Sequence, residues 1–239
     1  MIMDRNTFPE EKFERFCVLH RLMHLAVLIG FVCLAVTGMS LALSSQGWAR
    51  GVMWLLGGVS GAGALHRFFA VTTYSCVIIY VLWFCYYRFV LKGSLFGPTS
   101  LFPRLDDLRH LRHHVRYFLG KEKTIPAFNR FTYWEKFDYW AFFLGMNTMG
   151  VTGLFLWFPE FFTRFFPGYF INLAQVLHLL EAIMAISLKF VVHMITAHLR
   201  PGIYPVEKSI FTGKIEKEKL IVDHPAEWEM MLARQETES

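Results

Sequence analysis

Four long stretches with few or no charged side chains constrain the fold of this chain more than any other feature. Residues 25–43, 68–87 and 139–159 contain no Asp, Glu, Lys or Arg, and a fourth stretch begins with residues 165–180 and continues to about Thr196 with only Glu181 and Lys189 inside it. A bilayer core about 30 Å thick needs roughly 20 largely uncharged residues in a helix, so each stretch is long enough to cross it. Only 18% of the residues are charged and 54% are apolar, too few polar side chains to cover a water-soluble domain. The sequence therefore predicts an integral membrane protein.

We expect an all-α fold, a membrane four-helix bundle that forms a single domain over residues 1–239. Residues 105–119, between the second and third membrane helices, carry apolar residues on one side and basic residues on the other. This pattern is typical of an amphipathic helix that lies along the lipid headgroups. The predicted membrane helices are residues 20–43, 64–90, 134–158 and 170–199, and residues 200–239 form a soluble tail.

Lys and Arg are distributed unevenly between the segments that join these helices. Residues 88–136 carry ten of them, whereas the connections after the first and third helices carry Arg50 and Arg164. The positive-inside rule then places both termini and the long central loop in the cytoplasm. Charged residues precede the first helix and no small-residue cleavage pattern follows it, so we expect no cleaved signal peptide. The net charge of +5 follows from this topology and does not indicate nucleic-acid binding.

Histidines inside the apolar helices are the clearest indication of function, since ionisable groups at membrane depth are unfavourable. His24 begins the first helix on the cytoplasmic side and His66 begins the second on the opposite side. His178 and His193 lie fifteen residues apart on the fourth helix, about 22 Å along its axis and only about 60° apart around it. Antiparallel packing therefore places His24 level with His193, and His66 level with His178.

Two histidine pairs of this kind predict bis-imidazole binding of iron, which is how b-type haem is held in a helical bundle. The four cysteines form neither CxxC nor CxxCH, so a covalently attached c-type haem is not expected. Each histidine on its own could instead be a neutral core residue that bonds to a neighbouring helix. The alternative functions are then a haem-free membrane scaffold or a proton-coupled transporter with intramembrane His, Glu and Lys.

Several short motifs in a fixed order carry a family resemblance over about residues 13–228. They are Arg21-Leu-Met-His24, Thr37-Gly38, His66-Arg-Phe-Phe, the aromatic run from Arg130 to Trp140, Thr152-Gly-Leu-Phe-Leu-Trp157, and His224-Pro225. The chain resembles the four-helix dihaem b-type cytochrome subunits typified by the gamma subunit of membrane-bound formate dehydrogenase. The resemblance implies two haem b groups, one bound by His24 with His193 and the other by His66 with His178.

The resemblance also implies a place in a bacterial respiratory complex. Relatives are multi-pass subunits of the inner membrane that transfer electrons between the quinone pool and a periplasmic redox partner, within a hetero-oligomer. Partners in the family are multihaem c-type cytochromes, or the iron–sulfur subunits of molybdenum and nickel enzymes. The segment from His193 to Pro201, with Ser209-Ile-Phe-Thr-Gly213, is more similar to relatives associated with multihaem cytochromes. We assign no catalytic residue.

Two departures from the family pattern affect specific predictions. His178 and His193 are one residue further apart than in the formate dehydrogenase subunit, which predicts a local widening such as a π bulge between them. Thr132 stands where that subunit has an Asn near its quinone. The quinone contacts of this chain therefore need not be those of its relatives.

The quinone site implied by the resemblance, of menaquinone or ubiquinone, needs titratable groups because quinone chemistry moves protons with electrons. The candidate contacts are Thr132, Glu135, Asp138, His20 and His198. The two acids could instead stabilise the start of the third helix through its dipole. The two histidines could instead contact headgroups and solvent.

Four further roles follow from position in the helices. His20 could replace His24 as a haem ligand, since it lies one turn closer to the cytoplasm. Arg67 and Lys189 are candidates to neutralise haem propionates. Glu181 is a candidate for a proton path or a second quinone position. Pairing between helices is the alternative for each charged residue.

Overall fold

A computed structural model describes residues 11–97, 99–199, 204 and 206–238 of the chain. The described part is mostly helical, which confirms the predicted all-α fold. Among its helices, four are long and apolar enough to cross a membrane, as predicted. These candidate spans are Val18–Ala42, Gly58–Val90, Tyr133–Trp157 and Tyr169–Leu199. Arg200 and Pro201, which belong to one of the family motifs, lie outside the described residues.

The elements are numbered in chain order. The first half of the chain contains β1 (Lys12–Glu14), α1 (Val18–Ala42), α2 (Gly47–Leu55), α3 (Gly58–Cys85) and α4 (Leu105–Phe118). The second half contains α5 (Tyr133–Trp157), α6 (Pro159–Phe162), α7 (Tyr169–Ser187), α8 (Ser209–Thr212), β2 (Lys214–Glu216), α9 (Lys217–Asp223) and α10 (Pro225–Glu238). Helix α3 begins earlier than the predicted residue 64. Gly57 and Gly58 adopt φ angles of 83° and 80°, which lets the chain turn directly from α2 into α3.

Turns of π-helix extend two of the candidate spans. Tyr86–Val90 continues α3, while Leu188–His193 and Ile195–Leu199 continue α7. The turn Leu188–His193 lies between His178 and His193, so the predicted widening of the fourth membrane helix is confirmed. A π turn absorbs an additional residue without ending the helix, which explains how the longer spacing is accommodated.

The described chain forms two compact units. The membrane unit comprises Leu22–Tyr87 and Ala141–Val206, and the loop-and-tail unit comprises Met1–Arg21, Arg88–Trp140 and Glu207–Ser239. This division concerns compactness, and the single domain over residues 1–239 stays a prediction. The cytoplasmic position of the termini and of the central loop also stays a prediction.

Side chains in the membrane unit are arranged in the opposite way to those of a water-soluble bundle. Many of its large aliphatic and aromatic side chains are exposed, whereas Thr37, Ser40, Thr73 and Thr152 are buried. Small residues let transmembrane helices approach closely, and lipid can cover the apolar exterior. The buried hydroxyls mostly donate to the carbonyl one turn earlier; that of Ser40, for example, lies 2.7 Å from the Val36 oxygen.

The loop-and-tail unit joins distant parts of the sequence through a buried ion network. Strands β1 and β2 pair antiparallel, with Phe13 opposite Ile215. Arg15 Nη1 donates to Glu227 Oε2 at 2.7 Å, and Arg130 Nη1 donates to Glu227 Oε1 at 2.8 Å. Arg15 and Glu227 are each only 6% exposed, so the carboxylate is almost fully enclosed between two guanidinium groups.

His224 completes this network and uses both of its ring nitrogens. Its Nδ1 lies 2.7 Å from the Asn129 carbonyl oxygen, which can only accept, so Nδ1 carries the proton. Its Nε2 lies 3.0 Å from Arg15 Nη2, which can only donate, so Nε2 accepts. Burial, together with the adjacent Arg15 charge, lowers the pKa of His224 below its usual value.

Helix α4 confirms the predicted helix in the central loop. It is attached to the loop-and-tail unit through polar contacts. Lys136 Nζ donates to Asp107 Oδ1 at 2.9 Å, and His114 Nδ1 lies 3.0 Å from the Tyr133 hydroxyl. The apolar side of α4 is exposed.

Candidate functional site

His66, near the start of α3, is held by a threonine of α1. Its Nδ1 lies 2.9 Å from Thr37 Oγ1, and the same Oγ1 lies 2.7 Å from the Cys33 carbonyl oxygen. A carbonyl oxygen only accepts, so the threonine proton is donated to Cys33 and the threonine oxygen accepts from His66 Nδ1–H. The lone pair of the neutral His66 ring is therefore on Nε2.

His178 on α7 is held in the same way by a threonine of α5. Its Nδ1 lies 2.9 Å from Thr152 Oγ1, which lies 2.7 Å from the Thr148 carbonyl oxygen. By the same reasoning, Nδ1 carries the proton and Nε2 carries the lone pair. Two pairs of neighbouring helices thus repeat one arrangement, in which a buried threonine fixes the tautomer and orientation of a histidine.

A glycine follows each of these threonines and contacts the same histidine ring. A Cβ atom built on Gly38 would lie 2.9 Å from His66 Cε1, closer than side-chain carbon atoms normally approach. A Cβ atom built on Gly153 would lie 3.4 Å from His178 Cε1, which is tight but tolerable. Each Thr-Gly pair therefore provides a hydrogen-bond acceptor and the space beside the ring.

The rings of His66 and His178 lie close to each other. Their centroids are 6.4 Å apart and their planes are inclined by 66°. Bonds of about 2 Å from two imidazole nitrogens to one metal atom would place the ring centres roughly 6 Å apart. Neither Nε2 has a hydrogen-bond partner within the described residues. The separation of the two rings therefore matches that of two imidazoles bound to a single metal atom.

The second predicted pair consists of His24 on α1 and His193 at the end of the π turn Leu188–His193. Both side chains are half-buried. The His193 ring lies 5.7 Å from that of His198, with the planes inclined by 79°, and His198 is buried. The π turns therefore bring these two imidazoles together on one helix. The joint role of His24 and His193 as ligands stays a prediction.

Three charged residues of the membrane unit lie beside residues of neighbouring helices. The Arg67 guanidinium lies 5.8 Å from the centre of the Trp157 ring, and Lys189 Nζ lies 5.5 Å from that of Phe142. Cations are favourable over aromatic faces, so these contacts stabilise both charges. Glu181 faces Gly145, where a Cβ atom would lie 2.5 Å from its Oε1. The predicted propionate and proton-path roles stay predictions.

The start of α5 carries three of the predicted quinone contacts. Thr132 N and Thr132 Oγ1 donate to Glu135 Oε2 at 2.7 and 2.9 Å, and Glu135 N donates to Thr132 Oγ1 at 3.1 Å. These reciprocal bonds form a capping box, so both residues stabilise the helix start, whatever else they do. Asp138, one turn further, is half-buried. His20 stacks on Phe16 with ring centroids 5.0 Å apart, and a quinone role for these residues stays a prediction.

Sequence reasoning did not identify Thr37 and Thr152 as partners of histidines. The signal was present, since both motifs contain Thr-Gly inside an apolar helix. A buried threonine can satisfy itself within its own helix, so its contact with another helix appears only when the helices are packed.

Comparisons with known proteins all relate this chain to cytochromes b. A family model described as prokaryotic cytochrome b561 matches residues 15–213. The cytochrome b556(Fdn) subunit of the nitrate-inducible formate dehydrogenase from Escherichia coli K12 is 24% identical over 205 residues, which cover 86% of this chain and 85% of the relative. The formate dehydrogenase cytochrome b556 subunit from Haemophilus influenzae is 22% identical over 164 residues, or 69% of this chain and 62% of the relative.

Proposed function

Because the chain belongs to the prokaryotic cytochrome b561 family, we propose that it transfers electrons between the quinone pool and a periplasmic redox partner as a membrane-anchoring dihaem subunit. The family makes it a membrane cytochrome b of the bacterial inner membrane with a role in electron transfer. The quinone link, the identity of the partner and the number of haems are the proposed parts. The observation that carries the proposal is the opposed pair His66 and His178.

The residues around this pair fit a b-type haem. Such a haem is held by ligands from the protein, and His66 and His178 would supply them through their Nε2 lone pairs. When bound, the haem supplies an iron that takes up and releases one electron. Thr37 and Thr152 would hold the ligand rings in the required tautomer, as partners of metal-bound histidines usually do.

We propose His24 and His193 as the ligands of a second haem. His193 ends a π turn, and such turns are frequent at functional sites. His198, which contacts the His193 ring, is a candidate to orient it or to exchange protons near it. Arg67 and Lys189 are proposed to neutralise propionates, since each is a cation within the membrane unit.

The proposed quinone contacts are groups that can accept protons when a quinol loses its electrons. In the loop-and-tail unit these are Glu135, which is bonded to Thr132, together with Asp138 and His20. His198 is the candidate within the membrane unit. Because Thr132 and Glu135 already cap α5, Asp138 is the more informative residue to change.

The relatives are named as subunits of formate dehydrogenases, so this chain is expected to work within a hetero-oligomeric complex. We propose a multihaem c-type cytochrome as its partner, in preference to an iron–sulfur subunit of a molybdoenzyme. Covalently bound haem in a second subunit of the natively purified complex would support this choice. A molybdenum-containing partner without such haem would contradict it.

The test of the proposed function combines haem quantitation with quinol reduction of the purified full-length protein. We expect pyridine haemochrome analysis to give about two haem b per chain. We also expect menaquinol or ubiquinol analogues to reduce these haems. Folded protein without haem would contradict the cytochrome role and favour a scaffold or a transporter. Haem that no quinol reduces would contradict the quinone link alone.

A matched pair of variants sharpens the quinone arm. Asp138→Asn should slow reduction by quinol with haem content unchanged, because it removes a proton acceptor from the proposed site. Asp106→Asn changes a partly exposed acid on α4 and should leave the rate unchanged. Equal rates for both variants would remove Asp138 from the quinone site.

A further inference from the structure

Helix α4 packs on the protein with its polar side. Asp107 pairs with Lys136, and the two side chains are only 14% and 7% exposed. The His110 ring lies 5.7 Å edge-on from Phe128, and burial lowers the pKa values of His110 and His114. The side of α4 that faces the rest of its unit is therefore built from a paired acid and neutral imidazoles.

The apolar side of α4 is exposed instead. Leu105 is 77% exposed and Phe118 is 76% exposed. Leu105, Leu108, Val115 and Leu119 follow helical spacing and so lie on one side of the helix. The apolar stripe of α4 comprises Leu105, Leu108, Leu111, Val115, Phe118 and Leu119. A stripe of this size needs a non-aqueous cover.

A basic row lies beside this stripe. Arg109, Arg112, His113 and Arg116 line a shallow concavity together with Glu122. Arg116 Nε forms an ion pair with Glu122 Oε1 at 2.8 Å, and Arg109 Nη1 forms one with Asp106 Oδ1 at 3.0 Å. Arg112 makes no hydrogen bond or ion pair to the described residues. The row therefore keeps a net positive charge next to the apolar stripe.

We propose that α4 binds the surface of a phospholipid leaflet and takes up an anionic headgroup in the concavity lined by Arg109, Arg112, His113 and Arg116. The apolar stripe would enter the boundary between headgroups and acyl chains, and the arginines would contact the lipid phosphate. A lipid surface is favoured over a protein partner because candidate membrane spans precede and follow α4 in the chain. The charge of the row also complements anionic lipid. This binding does not depend on haem or on the proposed electron transfer.

The first test measures the depth of α4 in nanodiscs with the full-length chain. A nitroxide is attached at Leu108→Cys after exposed Cys17 and Cys85 are replaced by Ser, with Lys208→Cys as the control outside α4. We expect the label at residue 108 to collide more with dissolved oxygen than with a water-soluble nickel chelate, and the control to show the reverse. If both labels favour the nickel chelate, or if residue 108 is shielded from both reagents by a second copy or another protein, the proposal is wrong.

The second test measures lipid preference by native mass spectrometry of the full-length protein titrated with phosphatidylglycerol or phosphatidylcholine. Arg109→Gln with Arg112→Gln should lower the preference for phosphatidylglycerol by up to about fivefold per arginine. Lys208→Gln with Lys214→Gln removes the same charge from exposed positions off α4 and should change it little. Equal losses in the two double variants would show general charge attraction and overturn the assigned site.

Discussion

Histidines in the two units of this protein share a tautomer but differ in what their second nitrogen does. In the membrane unit, His66 and His178 donate Nδ1–H to a threonine, and neither Nε2 has a hydrogen-bond partner among the described residues. In the loop-and-tail unit, His224 also donates from Nδ1, but its Nε2 accepts a bond from Arg15. Both nitrogens of His224 are already bonded within the protein, so neither is available to a metal, whereas the Nε2 lone pairs of His66 and His178 are available to one.

The partners of these histidines differ in charge for a physical reason. Within a membrane an unpaired charge is unfavourable, so a neutral hydroxyl is the suitable partner for His66 or His178. In the loop-and-tail unit, Arg15 is balanced by Glu227, which lets a guanidinium serve as the partner of His224. The same principle, that buried polar groups must be bonded, thus gives a candidate cofactor site in one unit and a structural ion network in the other.

The largest expected difference between the two regions is in haem content. His178→Ala should abolish one of the proposed haems, because it removes an axial ligand. His224→Ala should keep both haems per folded chain, because His224 lies in the ion network. Pyridine haemochrome analysis of monodisperse protein measures both. Unchanged haem in His178→Ala would break the distinction between the two histidine types.

The next largest effect is expected in the ion network. Glu227→Ala should lower the free energy of unfolding by about 3–5 kcal/mol, since it leaves Arg15 buried without its counter-charge. Thermal unfolding in detergent measures this, with Glu122→Ala on the half-exposed pair to Arg116 as the control and an expected loss of at most about 1 kcal/mol. Similar losses of unfolding free energy in both variants would show that burial of Arg15 without its counter-charge costs no more than loss of a half-exposed ion pair.

Removing a threonine hydroxyl should weaken haem binding without removing a ligand. Thr152→Val should reduce haem affinity about 10- to 100-fold, the usual effect of losing a partner of a metal-bound histidine. Thr152→Ser keeps the hydroxyl and should restore most of the affinity. Competition for haem by an apo-acceptor protein gives the affinities. The threonine would have no orienting role if the Val and Ser variants bound haem equally.

The two glycines should respond differently to the same change. Gly38→Ala places a methyl 2.9 Å from His66 Cε1 and should displace the ring, whereas Gly153→Ala places one at 3.4 Å and should be tolerated. We expect overpacking of about 1–3 kcal/mol at Gly38 and less at Gly153. Midpoint potential and thermal stability report both changes. Equal effects would show that the rings are free to move.

The smallest effect concerns pH and belongs to His224. Its pKa is lowered in the folded state, so the unfolded chain binds this proton more readily. The contribution of His224 to the free energy of unfolding is therefore fully present above the ordinary histidine pKa of 6.5. It falls as the pH drops below that value, by at most about 1.4 kcal/mol per pH unit. His224→Gln should flatten this part of the curve of unfolding free energy against pH. An unchanged slope would exclude His224 as its source.

The parts of the fold that sequence reasoning predicted depend on local composition. Four stretches with few charged residues identified the spans. The π turn between His178 and His193 was instead predicted from the family resemblance, because their spacing is one residue longer than in the formate dehydrogenase subunit. The early start of α3 was missed because Gly57 and Gly58 follow an apolar segment, and their left-handed turn is not evident from composition.

The parts that it could not predict depend on contacts between distant residues. Arg15 and Glu227 are separated by 212 positions, and no local pattern indicates that they meet. The histidines themselves were visible as ionisable residues in apolar helices, but their threonine partners depend on which helices are neighbours. In α4 the apolar stripe was visible, whereas the side that binds the protein became apparent only with the structure.

The central claim, that His66 and His178 bind one haem iron from opposite sides, is tested most directly by changing the identity of one ligand. The measurement is near-infrared magnetic circular dichroism with redox titration of His178→Met, compared with the unchanged protein. We predict that one haem changes from bis-histidine to histidine–methionine character and that its potential rises, because methionine ligation favours reduced iron. Spectra and potentials identical to those of the unchanged protein would contradict the account.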